Sequence, residues 1–364
     1  MYKILTIYRE YDKTTSMKVR AKKSNVITFF HFTKYFRKER IKMNKKTKRR
    51  GNLKYSLLLL LLLAILLVTS TYAWFTANKT VTISELQVNV QAQNGLQIST
   101  DAINWKAVLS NDDITDVAYE GCINQIPATM EPVSTAGNVT SGNLDLFYGT
   151  VNPGGTGEYE ITATKEADAT KGTNGKYVAY DIYLKVDTPS NLKLTTASNV
   201  LSPTNSGLQN SSRVAFLIQG HAATGTDATT LYTVNNGTAD ELHIWEPNND
   251  THSAAAVQHA FSTYGVTINQ TDVQQAYDGI KAQINTGIQL KQANATKNDT
   301  YFARVTPKIS TETAFAENRE MFPLQAGVTK VRIYMWIEGQ DLDCENNASG
   351  SNAQFNLQFT VAED

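Results

Sequence analysis

The sequence has little of the chemistry on which most enzymes depend. It contains five histidines and two cysteines among 364 residues, and no two histidines flank a glutamate at the spacing of the helical zinc proteases. A nucleophile elbow is missing, and the glycine-rich stretch NPGGTG at 152–157 lacks the lysine and the helix of a phosphate-binding loop. We therefore predict no enzymatic activity and no cofactor.

The sequence also lacks a net charge, but this balance hides two opposite parts. Residues 1–54 hold eighteen Lys/Arg and three Asp/Glu, a net charge of +15, so residues 55–364 carry −15. Positive charge just before an apolar run stays on the cytoplasmic side during insertion. The pattern predicts export of the acidic part, and it favours a role in translocation for the basic part over nucleic-acid binding.

No uninterrupted apolar run is long enough to cross a membrane by itself. The uninterrupted run from Leu57 to Val68 has twelve residues, short of the ~20 that span hydrocarbon and typical of a signal peptide. If the segment is extended to Phe75, it is long enough to span a membrane, so a membrane anchor stays open as the alternative. The small residues Thr71 and Ala73 favour cleavage between Ala73 and Trp74, so that signal peptidase and the membrane are only transient partners.

The N-terminal extension is unusual for a bacterial signal peptide. The stretch MNKKTKRRGNLKYSLLLL from Met43 already contains a basic and an apolar region. We predict that residues 43–73 are the signal peptide and that 1–42 are a mis-annotated or disordered basic extension. Residues 74–364 form the predicted extracellular domain.

The two cysteines, Cys122 and Cys344, both lie in the part predicted to be exported. In an oxidising compartment such a pair is typical of one disulfide. The alternative is two thiols, because an anaerobic host would leave both reduced.

Alternating apolar residues predict an all-β fold. The first strand has a one-step phase slip at Ser84–Glu85, which predicts a bulge. The nearly continuous run RVAFLIQG at 213–220 predicts a strand covered on both faces. The alternating sets are Val81, Ile83, Leu86, Val88 and Val90; Val178, Tyr180, Ile182, Leu184 and Val186; Val331, Ile333, Met335 and Ile337; and Phe355, Leu357, Phe359 and Val361.

One region departs from the strand pattern. Apolar residues at Val273, Tyr277, Ile280, Ile284 and Ile288 predict a helix, and a shorter helix precedes it. We predict an all-β, jelly-roll-like β-sandwich with a small two-helix insertion at about 253–290, preceded by a signal peptide.

An acidic loop is a weak metal candidate. EGQDLDCENN places Asp341, Asp343 and Glu345 at alternating positions, and a calcium ion binds such oxygen ligands. The loop lacks the glycine and the final glutamate of an EF-hand. The alternative is an exposed acidic turn.

The stretch TYAWFTANKTVTISELQVNVQAQNGLQIS resembles the N-terminus of the TasA/camelysin family of secreted Firmicutes proteins. Tyr72-Ala73-Trp74-Phe75 is similar to the family's signal junction and Leu86 to Val90 to its first strand. The block from NPGGTG to YDIYLKV resembles the family's next segment.

The resemblance implies a β-sandwich in the extracellular matrix or on the cell surface, and a biofilm-matrix fibre subunit that associates with itself or with related subunits. The freed N-terminal strand of one subunit would then complete the sheet of the next. The candidate donor side chains are those of Val81, Ile83, Leu86, Val88 and Val90. Three alternatives stay open: pairing of this strand within its own subunit, a non-polymerising surface adhesin, and a camelysin-type metalloprotease.

Overall fold

The fold is taken from a computed structural model. It describes residues 55–56, 58–59, 81–90, 95–153, 159–202, 207–247, 252–259, 279–289, 299–305, 308–309, 317–344 and 352–361. Residues 1–67 and 68–364 are two separate compact units. Within the described ranges, no helix is both long and apolar enough to cross a membrane.

Strands dominate the second unit, and the prediction of an all-β sandwich is confirmed. The described helices are short: α1 (Asn111–Thr115), α2 (Leu208–Ser211) and α3 (Ala254–His259). The strands are β1 (Val81–Val90), β2 (Gln97–Ser99), β3 (Val108–Leu109), β4 (Asn124–Gln125), β5 (Thr129–Met130), β6 (Val139–Thr140), β7 (Asn143–Leu144), β8 (Phe147–Pro153), β9 (Tyr159–Lys165), β10 (Lys171–Gly172), β11 (Val178–Val186), β12 (Ser190–Leu194), β13 (Asn199–Leu201), β14 (Ser212–Ala223), β15 (Leu242–Trp245), β16 (Gly279–Ile280), β17 (Ile284–Gln289), β18 (Phe302–Ala303), β19 (Arg319–Leu324), β20 (Gly327–Ile337) and β21 (Asn352–Val361).

Two seven-stranded sheets form the sandwich. Sheet I has the order β19-β12-β21-β1-β3, with β13 paired to β21 and β5 paired to β1. Sheet II has the order β10-β4-β11-β20-β14-β15, with β2 paired to β11. A smaller sheet, β17-β9-β8, has its own apolar cluster.

The alternating residues of the long strands meet between the two sheets, as the sequence predicts. One buried cluster contains Val178 and Ile182 of β11, Ile333 of β20, and Phe355 and Phe359 of β21. Phe216 of β14 contacts Phe359 across this layer, edge to face, with ring centroids 5.8 Å apart. Removal of this apolar surface from water is the main stabilising contribution to the sandwich.

Sheet II is covered on its other face as well. Ala215 and Leu217 of β14 and Tyr334 and Trp336 of β20 lie in a second buried cluster. All eleven residues of β20 are buried. The prediction of a doubly covered strand at RVAFLIQG is confirmed, because Arg213 to Leu217 are all buried.

The predicted bulge in β1 is present. The parallel pairing of β1 with β21 shifts register between Ile83 and Glu85. This shift sets Leu86 opposite Phe355 and Val88 opposite Leu357. One residue more or fewer in β1 would turn its alternating set to the other face of the sheet.

The predicted two-helix insertion is only partly present. The first helix corresponds to α3, but residues that we expected in the second helix form β16 and β17. Ile280, Ile284 and Ile288 are four residues apart, a spacing that fits one strand face as well as a helix face. In the smaller sheet β17 pairs antiparallel with β9, and this pairing favours the strand over the helix. Residues 271–278 lie outside the described residues.

The contact of Phe216 with Phe359 gives a test of the shared core. We expect Phe216→Ala to lower the free energy of unfolding by about 3–5 kcal/mol, because it leaves a cavity between the sheets. Urea denaturation measures this loss. Leu201→Ala is the control, since Leu201 is 51% exposed, and its effect should stay within about 0.5 kcal/mol. Equal effects of the two substitutions would contradict the assigned core.

Candidate functional site

The predicted signal junction, Ala73 and Trp74, lies outside the described residues. Of the predicted signal peptide the structure describes only Tyr55, Ser56, Leu58 and Leu59, which are helical and exposed. The predicted cleavage therefore stays a prediction.

The five candidate donor positions all lie in β1, which pairs within its own chain. Its longest partner is β21, in parallel, from Thr82 opposite Asn352 to Val90 opposite Phe359. On its other side β1 pairs with β5 at Val81 and Thr82 and with β3 at Val88 and Asn89. In the single chain, β1, the first strand that the structure describes, thus lies beside β21, the last one described.

The acidic loop is not an exposed turn, because Asp341 and Asp343 are 5% and 2% exposed. The Asp341 carboxylate accepts hydrogen bonds from Arg213 Nη2 at 2.6 Å and from the Asp343 N–H at 2.8 Å. The Asp343 carboxylate contacts His252 Nδ1 at 3.0 Å and accepts from the Ser253 N–H at 3.0 Å. Each of the four oxygens therefore already has a polar contact.

These contacts do not suit the weak calcium candidate. One nitrogen of His252 and oxygens of Asp341 and Asp343 lie within 4.8 Å of one another, but calcium takes oxygen ligands only. The guanidinium of Arg213 is also hydrogen-bonded to the Asp341 carboxylate, which a calcium ion would need as a ligand. Glu345 lies outside the described residues. His252 is buried as well.

Arg213 is the centre of this acidic junction, which we define as Arg213, Glu246, His252, Glu338, Asp341 and Asp343. Its Nε lies 3.0 Å from Glu246 Oε1, and its Nη1 donates to the carbonyls of Asn210 at 2.8 Å and Ser212 at 3.0 Å. The arginine therefore joins the start of β14 to the ends of β15 and β20. A hydrogen bond to Asp343 raises the pKa of His252 against the opposing effect of its burial.

Glu338 is a buried acid of the junction. Its carboxylate accepts hydrogen bonds from Trp336 Nε1 and from the Gln340 N–H, both at 3.1 Å. Burial raises its pKa to about 7, and the nearby charge of Arg213 opposes the shift. The carboxyl is thus partly protonated near neutral pH.

A second ionic cluster, the central triad of Asp181, Lys330 and Arg332, lies on the outer face of sheet II. The Asp181 carboxylate receives Arg332 Nε at 2.7 Å and Nη2 at 3.1 Å, and Lys330 Nζ lies 3.1 Å from Asp181 Oδ2. All three side chains are at most 3% exposed. Two cations share one anion, so the triad carries a net charge of +1.

The central triad fixes the loops that cover sheet II. Lys330 Nζ donates to the carbonyls of Tyr232 at 2.9 Å and Val234 at 3.0 Å. Arg332 Nη1 donates to the side-chain oxygens of Asn143 at 2.8 Å and Asn235 at 2.7 Å. Gly142 has a φ of +73° and lies against the Asn235 backbone, where no side chain would fit.

Three tyrosines surround the other side of the triad. Tyr119 stacks on Tyr232 with ring centroids 3.9 Å apart, and its hydroxyl lies 2.7 Å from that of Tyr183. Burial, reinforced by the charge of Asp181, raises the pKa of Tyr119. The phenols therefore stay neutral, and the three rings pack against one another in a cluster of their own.

The structure does not join the two cysteines. Cys122 lies before β4, and its thiol donates to the Val117 carbonyl at 3.7 Å. Cys344 follows β20 and packs in the core between the sheets. Both are free thiols, which agrees with the alternative of two thiols rather than with the expected disulfide. Sequence spacing could not reveal this, because strand order decides which loops meet.

The comparisons with known proteins identify no relative. No protein-family model, no curated protein and no solved structure matches the chain. The resemblance to the TasA/camelysin family stays a prediction from the sequence.

The cysteine result can be tested with a thiol reagent. We expect two thiols per chain to react with Ellman's reagent once the unreduced protein is denatured, and neither to react rapidly in the native protein, because the side chains are 5% and 0% exposed. Cys122→Ser should leave one reactive thiol. A denatured chain without reactive thiols would restore the disulfide.

Glu338 predicts a specific pH dependence of stability. Its folded pKa of about 7 exceeds its ordinary value of 4.5, so the protonated form favours the fold. This contribution is complete below pH 4.5 and is lost as the pH rises through 7. Between pH 5 and pH 8 the free energy of unfolding should fall by about 2–3 kcal/mol on account of this group.

The measurement is urea denaturation at four pH values across that range. Glu338→Gln, which never ionises, should remove this part of the slope, whereas Glu241→Gln, at an exposed carboxylate, should retain it. Parallel curves for the natural protein and Glu338→Gln would show that Glu338 ionises normally in the fold.

Proposed function

We propose that this protein is an exported structural protein of the cell surface or extracellular matrix that assembles by exchange of β1. The observation that supports the proposal is the position of β1, a terminal strand held by parallel pairing with β21 and by two short contacts at its ends. The charge pattern before it supports export.

A terminal strand can leave a sheet without breaking the rest of the chain. Withdrawal of β1 uncovers one edge of β21, whose Phe355, Leu357 and Phe359 line the core. The vacated edge offers main-chain hydrogen bonds and apolar positions in the register that β1 itself uses. The strand of a second copy is the matching occupant, because its sequence carries the same bulge and the same alternation.

A designed disulfide distinguishes exchange from pairing within one chain. Gln87 of β1 stands opposite Asn356 of β21, so Gln87→Cys with Asn356→Cys should bond in either arrangement. We expect the purified protein to form fibres by negative stain, and the oxidised double variant to give a ladder of covalent multimers on a non-reducing gel.

Each single-cysteine variant is the matched control and should give no ladder. Dispersed particles with a disulfide confined to monomers would contradict the proposal and favour the non-polymerising adhesin. Excess synthetic peptide of residues 81–90 should shorten the fibres, because it occupies the same edge.

A further inference from the structure

The central triad places an amine against a carboxyl group in a dry site. Lys330 Nζ lies 3.1 Å from Asp181 Oδ2, and the side chains are 1% and 0% exposed. Asp181 stands opposite Arg332 in the pairing of β11 with β20, and Lys330 lies two residues before Arg332 on the same face of β20. The strands hold the two reacting groups as diagonal neighbours.

We propose that Lys330 and Asp181 condense into an intramolecular amide that joins β11 to β20 covalently. The fixed approach replaces an encounter in solution, which lowers the entropic part of the barrier to such a reaction. The proposal is independent of the exchange of β1, since it concerns sheet II alone.

The reaction balances without any other reagent. The Lys330 ammonium gives a proton to the Asp181 carboxylate, and the neutral Nζ attacks the carboxyl carbon. A C–N bond forms and the bond from that carbon to Oδ2 breaks. The oxygen leaves as water with two protons that both came from the ammonium, and the amide keeps the third.

The surroundings favour both partners of the attack. Burial lowers the pKa of Lys330, although the charge of Asp181 opposes this, so the neutral amine is more accessible than in water. Arg332 Nε donates to Asp181 Oδ1 at 2.7 Å, which is the oxygen that becomes negative when the amine adds to the carbon. A fixed donor at that position stabilises such an oxyanion.

The same guanidinium also stabilises the unreacted carboxylate, and this is the competing effect. Release of water from a buried site favours the amide, since the opposite reaction needs water to return. The product removes one buried cation and one buried anion and leaves Arg332 held by Asn143 and Asn235. The unreacted triad buries three charges, whereas the amide leaves only the charge of Arg332 buried, so less desolvation is needed.

Peptide mapping of the folded full-length protein is the direct test. Complete tryptic digestion after denaturation should yield YVAYDIYLK (177–185) linked to EMFPLQAGVTKVR (320–332), lighter than the sum of the two peptides by one water. The cut after Lys330 should be absent, because trypsin requires the free amine. Fragmentation should place the link between Asp181 and Lys330.

Two controls make the result specific. Lys330→Arg keeps the cation but cannot form the amide, so the 177–185 peptide should be released. Lys176 and Glu131 form a pair at a similar distance, 2.9 Å, but are 23% and 29% exposed, and they should stay unlinked. Recovery of 177–185 only as a free peptide from the natural protein would overturn the proposal and leave the triad a purely ionic contact. That outcome needs no variant to fold.

Discussion

Burial of both faces of sheet II is the constraint on which the rest of the structure depends. A strand covered on one side can place its charges in water, but the buried stretches of β11, β14 and β20 cannot. Each charged side chain on their second face must therefore meet its partners inside the protein, because an isolated buried charge costs several kcal/mol. Asp181, Arg332 and Arg213 follow this rule, with contacts of 2.6 to 3.1 Å. Such buried pairs contribute little net stability. In this protein their remaining hydrogen bonds hold the loops that cover the sheet.

The two ionic clusters lie at different places along sheet II and have opposite surpluses. The central triad holds two cations and one anion and finds its remaining acceptors in backbone and amide oxygens. The acidic junction holds four carboxylates against Arg213 and His252, and its surplus is relieved by the raised pKa of Glu338. The acidic junction exchanges protons near neutral pH through Glu338. Changes in pH therefore act on the end of the sheet where β14, β15 and β20 meet the turn of Asp341 and Asp343.

The sequence predicted the sandwich well because alternation along a strand depends on local side chains. The bulge in β1 and the apolar sets of β11, β20 and β21 follow from two-residue periodicity alone. The prediction of the second helix was wrong because the spacing of Ile280, Ile284 and Ile288 fits both a helix and a strand. Only pairing with the neighbouring strand β9 decides between the two. The sequence did not reveal either ionic cluster, for another reason. Asp181 and Arg332 are 151 residues apart, and nothing local indicates that strand order makes them neighbours. The visible signal was an aspartate and an arginine inside otherwise apolar strands.

The ionic clusters lie in sheet II and β1 lies in sheet I, and this separation would allow β1 to be exchanged without loss of the fold. The charged contacts that define the covering loops all start from sheet II, whereas β1 belongs to sheet I and has no described part in them. Removal of β1 would expose apolar surface along β21 but leave the central triad and the acidic junction intact. An exposed apolar edge has a strong tendency to find a new strand, and the identical strand of a second copy matches its register. If β1 is exchanged as we propose, the ionic contacts of sheet II would stay in place, and only the edge of β21 would change its partner.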